Sequence, residues 1–118
     1  MTDGHSPVLL EGLILIEDGA DARRDRIVRD NGRVRKSIVF VSEPAEGPRI
    51  AIELADQGVE LIELDGGFGS LWAAKIFEAI GGRAAVGFVS FGIESMDRVA
   101  AFKQRYEAQV EKQACDAR

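Results

Sequence analysis

Two carboxylates and three glycines fall within one short stretch: Glu63, Asp65, Gly66, Gly67 and Gly69, with Phe68 between the glycines and Ser70 after them. Each residue type has a chemistry. A pair of carboxylates could do general acid–base work or hold a divalent cation through oxygen. Glycines let a backbone approach a ligand closely, and free N–H groups at the start of a following helix hold anions such as phosphate or carboxylate. A plainer reading stands beside this one: the glycines permit a tight strand-to-helix turn, and Ser70 caps the helix. Gly66-Gly67-Phe68-Gly69-Ser70 is neither a Walker loop nor a G-x-G-x-x-G fingerprint.

Glu63 is the most unusual of these residues. It interrupts a strand otherwise made of Val59, Leu61, Ile62 and Leu64. A buried carboxylate is costly unless it is paired or protonated. Glu63 is therefore a general base, a cation ligand with Asp65, a partner of Arg49 or Lys75, or a residue partly exposed near the end of its strand.

The elements that must position these residues follow from periodicity. Residues 8–16 are almost continuously apolar and fit a strand covered on both faces, with Glu11 and Gly12 breaking its first half. Residues 20–30 read as a charged helix with a narrow apolar face (Ala20, Ile27, Val28), capped by Asp18 or Asp21 and broken by Asn31-Gly32. Residues 34–42 form a second strand. Pro48 suits the first turn of a helix over 49–57, with Gly58 just past its end. Residues 59–65 are the third strand, 71–80 the next helix, and 83–90 the fourth strand. A last helix over 96–112 carries the stripe Val99, Phe102, Tyr106, Val110.

Strands alternating with helices predict a single α/β domain with a four-stranded, mainly parallel sheet over residues 8–112. Residues 1–7 and 113–118 are left as tails. The strand order that covers both faces is 2-1-3-4, with the first and last helices on one face and the middle two on the other. The alternative, 1-2-3-4, leaves one face bare and requires oligomerisation. In the first order, the strand reversal where ligands bind lies between strands 1 and 3. It gathers Asp18 with Glu63, Asp65, Gly66, Gly67, Phe68, Gly69 and Ser70. Its acidity disfavours a bare anion and favours a neutral polar or cation-assisted ligand.

Composition narrows the classes. A chain of 118 residues with 46% hydrophobic and 30% charged residues is an ordinary globular domain. A net charge of -5 argues against nucleic acid as the partner. Arg23, Arg24, Arg26, Arg29, Arg33, Arg35 and Lys36 are interleaved with Asp21, Asp25 and Asp30 and have no aromatic neighbours for base stacking, so they read as a solvated helix face rather than a nucleic-acid patch. The single cysteine, Cys115, rules out an internal disulfide and reads as an incidental thiol. The only histidine is His5, so there is no Cys/His set for zinc. No run is long enough to span a bilayer and no signal peptide precedes the domain, so a cytoplasmic protein with no membrane partner is expected. Nothing specifies a cofactor.

The run Ala51 to Gly69, with Ile62-Glu63-Leu64-Asp65-Gly66-Gly67-Phe68-Gly69 at its centre, resembles a family of small bacterial and archaeal proteins of unknown function that share an I-E-L-x-G-G-F-G core. The Ala79-Ile80-Gly81-Gly82 helix end, the Val86-Gly87-Phe88-Val89 strand and the Asp18-Gly19-Ala20-Asp21 turn extend the likeness over about residues 13–91. It implies no catalytic roles. A looser likeness to β/α-barrel turns that bind phosphate is analogy alone.

Three functions remain in view. The first is a non-catalytic binding or interaction module, a homodimer, taking a small polar ligand at Glu63 to Ser70. The second is a small lyase, isomerase or hydrolase with Glu63 or Asp65 as general base. The third is a structural homo-oligomer. Phe102 and Tyr106 read as core, or as a dimer interface if the sheet is incompletely covered.

Overall fold

A computed structural model describes residues 8–116. Its elements run β1 (Leu9–Ile16), β2 (Arg26–Asp30), β3 (Val34–Val41), a 3-10 turn (Pro44–Glu46), α1 (Gly47–Asp56), β4 (Leu61–Leu64), α2 (Gly69–Ala79), β5 (Ala85–Phe88), a second 3-10 turn (Ile93–Ser95) and α3 (Met96–Asp116). The strands form one five-stranded sheet in the order β2-β3-β1-β4-β5. β1 lies parallel to β3 and β4, and β4 parallel to β5, while β2 is antiparallel to β3.

The sheet expected to have four strands therefore has five. The error lies in residues 20–30, which form one short turn and then the edge strand β2, not a helix. Asp21 holds that turn: its carbonyl accepts the Arg24 and Asp25 amides, and its own amide donates to the Asp25 carboxylate at 2.7 Å. Beyond it, Arg26-Ile27-Val28-Arg29 is β-branched at its centre and pairs with β3 residue by residue. Asn31-Gly32, expected to end a helix, turns a hairpin. Gly32 adopts φ 88°, and the Asn31 side chain accepts the Arg33 and Val34 amides at 2.9 Å each. The basic residues thus line a hairpin and its approach rather than a helix face.

The two central helices close alike. Gly58 (φ 94°) follows α1, with its amide on the Ala55 carbonyl and the Val59 amide on Leu54. Gly81 (φ 62°) follows α2, with its amide on Glu78 and the Gly82 amide on Phe77. Both are Schellman ends, in which a left-handed glycine satisfies the last carbonyls.

Those helices bury one face of the sheet. Ile14, Val39, Val41, Ile62 and Leu64 point at Ile50, Leu54, Ile76 and Ile80, and each of these is at most 1% exposed. Burying a side chain of this size is worth about 1.5–3 kcal/mol. Gly12, the oddity of the first strand, belongs to this face: a Cβ there would stand 2.9 Å from Leu54 Cδ1. The glycine lets α1 sit close to β1.

The opposite face has no such cover. Strand alternation puts Leu9, Glu11, Leu13 and Leu15 of β1 there, with Ile38 and Phe40 of β3, Ile27 of β2, and Leu61 and Glu63 of β4. Leu9 is 56% exposed and Ile27 48%. The helix expected to cover this face over residues 20–30 is absent. The last helix does not replace it, because α3 buries none of its residues. Phe102 and Tyr106, read from sequence as core, are exposed. α3 continues to Asp116, past the expected boundary at residue 112. The tail expected over residues 1–7, His5 included, lies outside the described residues, as do 117–118.

Candidate functional site

The carboxyl ends of β1 and β4 meet at Asp65. Its Oδ2 accepts the Ile16 amide at 2.7 Å, and its Oδ1 accepts the Gly67 amide at 3.0 Å. One side chain thus ties the end of β1 to the glycine turn after β4. Both oxygens carry a backbone partner, which gives Asp65 a structural task.

The turn is anchored by Phe68, while Gly66 and Gly67 are exposed. The Phe68 amide donates to the Asp65 carbonyl, and the Phe68 ring is 3% exposed. A Cβ on Gly67 would approach Ile16 Cδ1 at 3.1 Å, and one on Gly66 would approach the Val89 carbonyl at 3.3 Å. Gly69, at φ 70°, starts α2. Phe68 occupies the N-cap position and no side chain caps the helix, so Ser70 does not cap it.

Glu63 stands apart from this turn. It is exposed on the bare face, next to Leu13 on β1 and Gly87 on β5. Neither cation expected as its partner is there. Lys75 lies over the Trp72 ring, 4.4 Å from its centroid, and Arg49 faces Glu46 at 3.4 Å. Among the described residues Glu63 has no ion-pair partner within 4.0 Å.

Asp18 lies beyond β1 and accepts the Tyr106 hydroxyl at 2.6 Å. The bond raises the Tyr106 phenol above its ordinary value, because the neighbouring carboxylate favours the protonated form. This contact brings α3 to the carboxyl edge of the sheet, where sequence alone gave no reason to place it.

Two surface cavities lie elsewhere. One, of about 430 Å³, is lined by residues 20–23 with Glu46 and Arg49. The Glu46 carboxyl beside it is held below its usual range, first by the Ser42 hydroxyl at 2.7 Å and then by the Ser42 amide. The other, of about 490 Å³, is on the bare face, between Glu11, Lys36 and Ile38 and the β2–β3 turn. Among the described residues no group of three or more His, Cys, Asp or Glu side chains is arranged to hold a metal ion. No helix among them is long and apolar enough to cross a membrane.

The basic segment is largely paired. Arg26 forms a forked ion pair with Glu53 of α1, which clamps the edge strand to the helix layer. That guanidinium, chiefly through its hydrogen bond, lowers the Glu53 carboxyl below its ordinary range. Arg24 faces Asp25, Arg35 faces Asp30, and Lys36 reaches Glu11 at 4.0 Å on the bare face.

Residues 10–104 match the model of a family of unknown function, DUF6506, and the chain belongs to that family. No curated protein and no solved structure matches it.

Proposed function

We propose that this member of the family is a non-catalytic interaction module that works as a homodimer, associating through the bare face of its sheet. The observation that carries this reading is the apolar row on the face without helices: Leu13, Leu15, Ile38 and Phe40 are half-buried and Leu9, Ile27 and Leu61 around them are exposed. A contiguous exposed apolar patch rimmed by charge marks an interaction site. Here Glu11, Arg29, Lys36 and Glu63 supply the charge. A parallel strand set normally has both faces covered, and among the described residues helices bury only one.

The test is a charge placed on the row. Ile38→Glu and Leu13→Glu, compared with the parent chain by light scattering, are expected to halve the mass in solution. Far-UV circular dichroism should stay unchanged. A parent chain that already runs as a monomer overturns the reading.

A second reading has one observation in its favour. The first turn of α2 has no side-chain cap, which leaves its N–H groups without a side-chain acceptor where the glycine turn enters the helix. A small polar ligand there would be held by backbone amides, with Asp18, Glu63, Asp65, Gly66, Gly67, Phe68, Gly69 and Ser70 as the candidate set. Amide shift changes in Gly69 and Ser70 on titrating inorganic phosphate, lost in Gly67→Ala, support it. Their absence up to millimolar phosphate counts against it.

A further inference from the structure

We infer that the element covering the bare face is α3 of a second copy, seated reciprocally, so that each chain lends its last helix to the other's sheet. The inference rests on the self-association proposed above and names its geometry.

Two unpartnered surfaces occur in the one chain and are complementary. The sheet lacks a helix on one face, and α3 is a helix lacking a sheet. α3 has 21 residues and so extends about 31 Å at 1.5 Å per residue, enough to cross every strand of a five-stranded sheet. Met96, Val99, Phe102, Tyr106 and Val110 recur at spacings of three and four, which lays them along one stripe. Phe102 is 68% exposed, Met96 43% and Val110 41%. Within its own chain Val99 is half-buried and Tyr106, 45% exposed, is held by Asp18, while Met96, Phe102 and Val110 stay exposed and are free to seat on a partner.

Area supports the same occupant. An aromatic side chain brings about 150–250 Å² of surface. Two helices, each with Phe102 and Tyr106 plus smaller apolar residues, and the two sheet faces beneath them, together exceed the roughly 1,000 Å² that a specific interface needs. A two-fold arrangement doubles every contact and closes the assembly at two copies.

Charge agrees as well. Glu63 stands on the apolar face with no cation within ion-pair distance among the described residues. α3 flanks its stripe with Arg98, Lys103 and Arg105, and no described ion pair includes any of them. A helix crossing the partner's β4 brings such a cation to Glu63, which accounts for a carboxylate in the middle of an otherwise apolar strand.

The native thiol provides the test. Cys115 is the only cysteine, exposed near the end of α3. An unlabelled chain carrying a nitroxide on Cys115 is refolded from urea together with a nitrogen-15-labelled Cys115→Ser chain, and the mass of the mixture is measured. The expected result is a dimer mass with loss of amide signal at bare-face residues such as Leu13, Ile38 and Phe40, restored when the nitroxide is reduced. A dimer mass with the loss confined to α3, or with no loss on the bare face, overturns the helix seat and leaves self-association standing. A monomer mass overturns both. A second variant, Phe102→Glu, is expected to abolish the loss at Ile38 and Phe40; an unchanged loss also overturns the seat.

Discussion

The Asp65 carboxylate accepts the amide of Ile16, 49 positions earlier in the chain, at 2.7 Å, and the amide of Gly67, two positions later, at 3.0 Å. One of the two carboxylates that suggested chemistry in the sequence is thus the clasp between the central strand and the turn that starts α2. Replacing Asp65 with alanine leaves both donors short of a partner. The expected cost is about 1–3 kcal/mol, as for other half-deleted hydrogen bonds. Asp65→Asn, which keeps an acceptor oxygen, should lose less. Urea denaturation monitored by tryptophan fluorescence measures both.

Gly47 predicts a packing defect. A Cβ there would lie 2.7 Å from Phe68 Cε1 and 2.8 Å from Ile76 Cδ1. Both neighbours belong to the core, so neither can swing into solvent. Gly47→Ala is expected to destabilise by about 1–3 kcal/mol through overpacking, despite alanine's better helix propensity. Gly19→Ala, with open space around it but φ 77°, tests backbone strain separately from packing.

The Arg26–Glu53 clamp sets a pH dependence. The folded-state Glu53 carboxyl sits below its ordinary value of 4.5 because Arg26 hydrogen-bonds its charged form. A depressed carboxylate contributes stability that is present above the unfolded value and lost as pH falls through the folded one. Stability should therefore fall as pH drops below about 4.5, and part of that fall should vanish in Glu53→Gln. At pH 7, Arg26→Ala is expected to cost up to about 1 kcal/mol, since the pair is partly exposed. Denaturation midpoints at pH 7 and pH 3.5 for parent and variants give the comparison.

The readable and unreadable parts of this chain divide along physical lines. Residues 8–16, 34–42, 59–65 and 83–90 were legible as strands because their apolar runs are bounded by glycine and charge. The α1 and α2 helix ends were legible because Gly58 and Gly81 mark them. β2 was not: Arg26-Ile27-Val28-Arg29 is too short for a period to declare itself, and the aspartates before it resemble helix caps. Asn31-Gly32 between two β-branched stretches was the available hairpin signal. The clasp by Asp65 was illegible because it depends on Ile16, 49 positions away, whereas the exposure of Glu63 was among the readings its place near the end of a strand allowed. The stripe on α3 was visible, but a stripe says only that a helix has an apolar face, not whose surface it covers.

Sedimentation equilibrium of the unmodified chain, across concentrations from about 1 to 100 µM, where interfaces of ordinary affinity assemble, tests the central claim most directly. The expected mass is twice the 12.8 kDa protomer, falling to one protomer in Ile38→Glu. A parent chain that stays at 12.8 kDa throughout that range contradicts it.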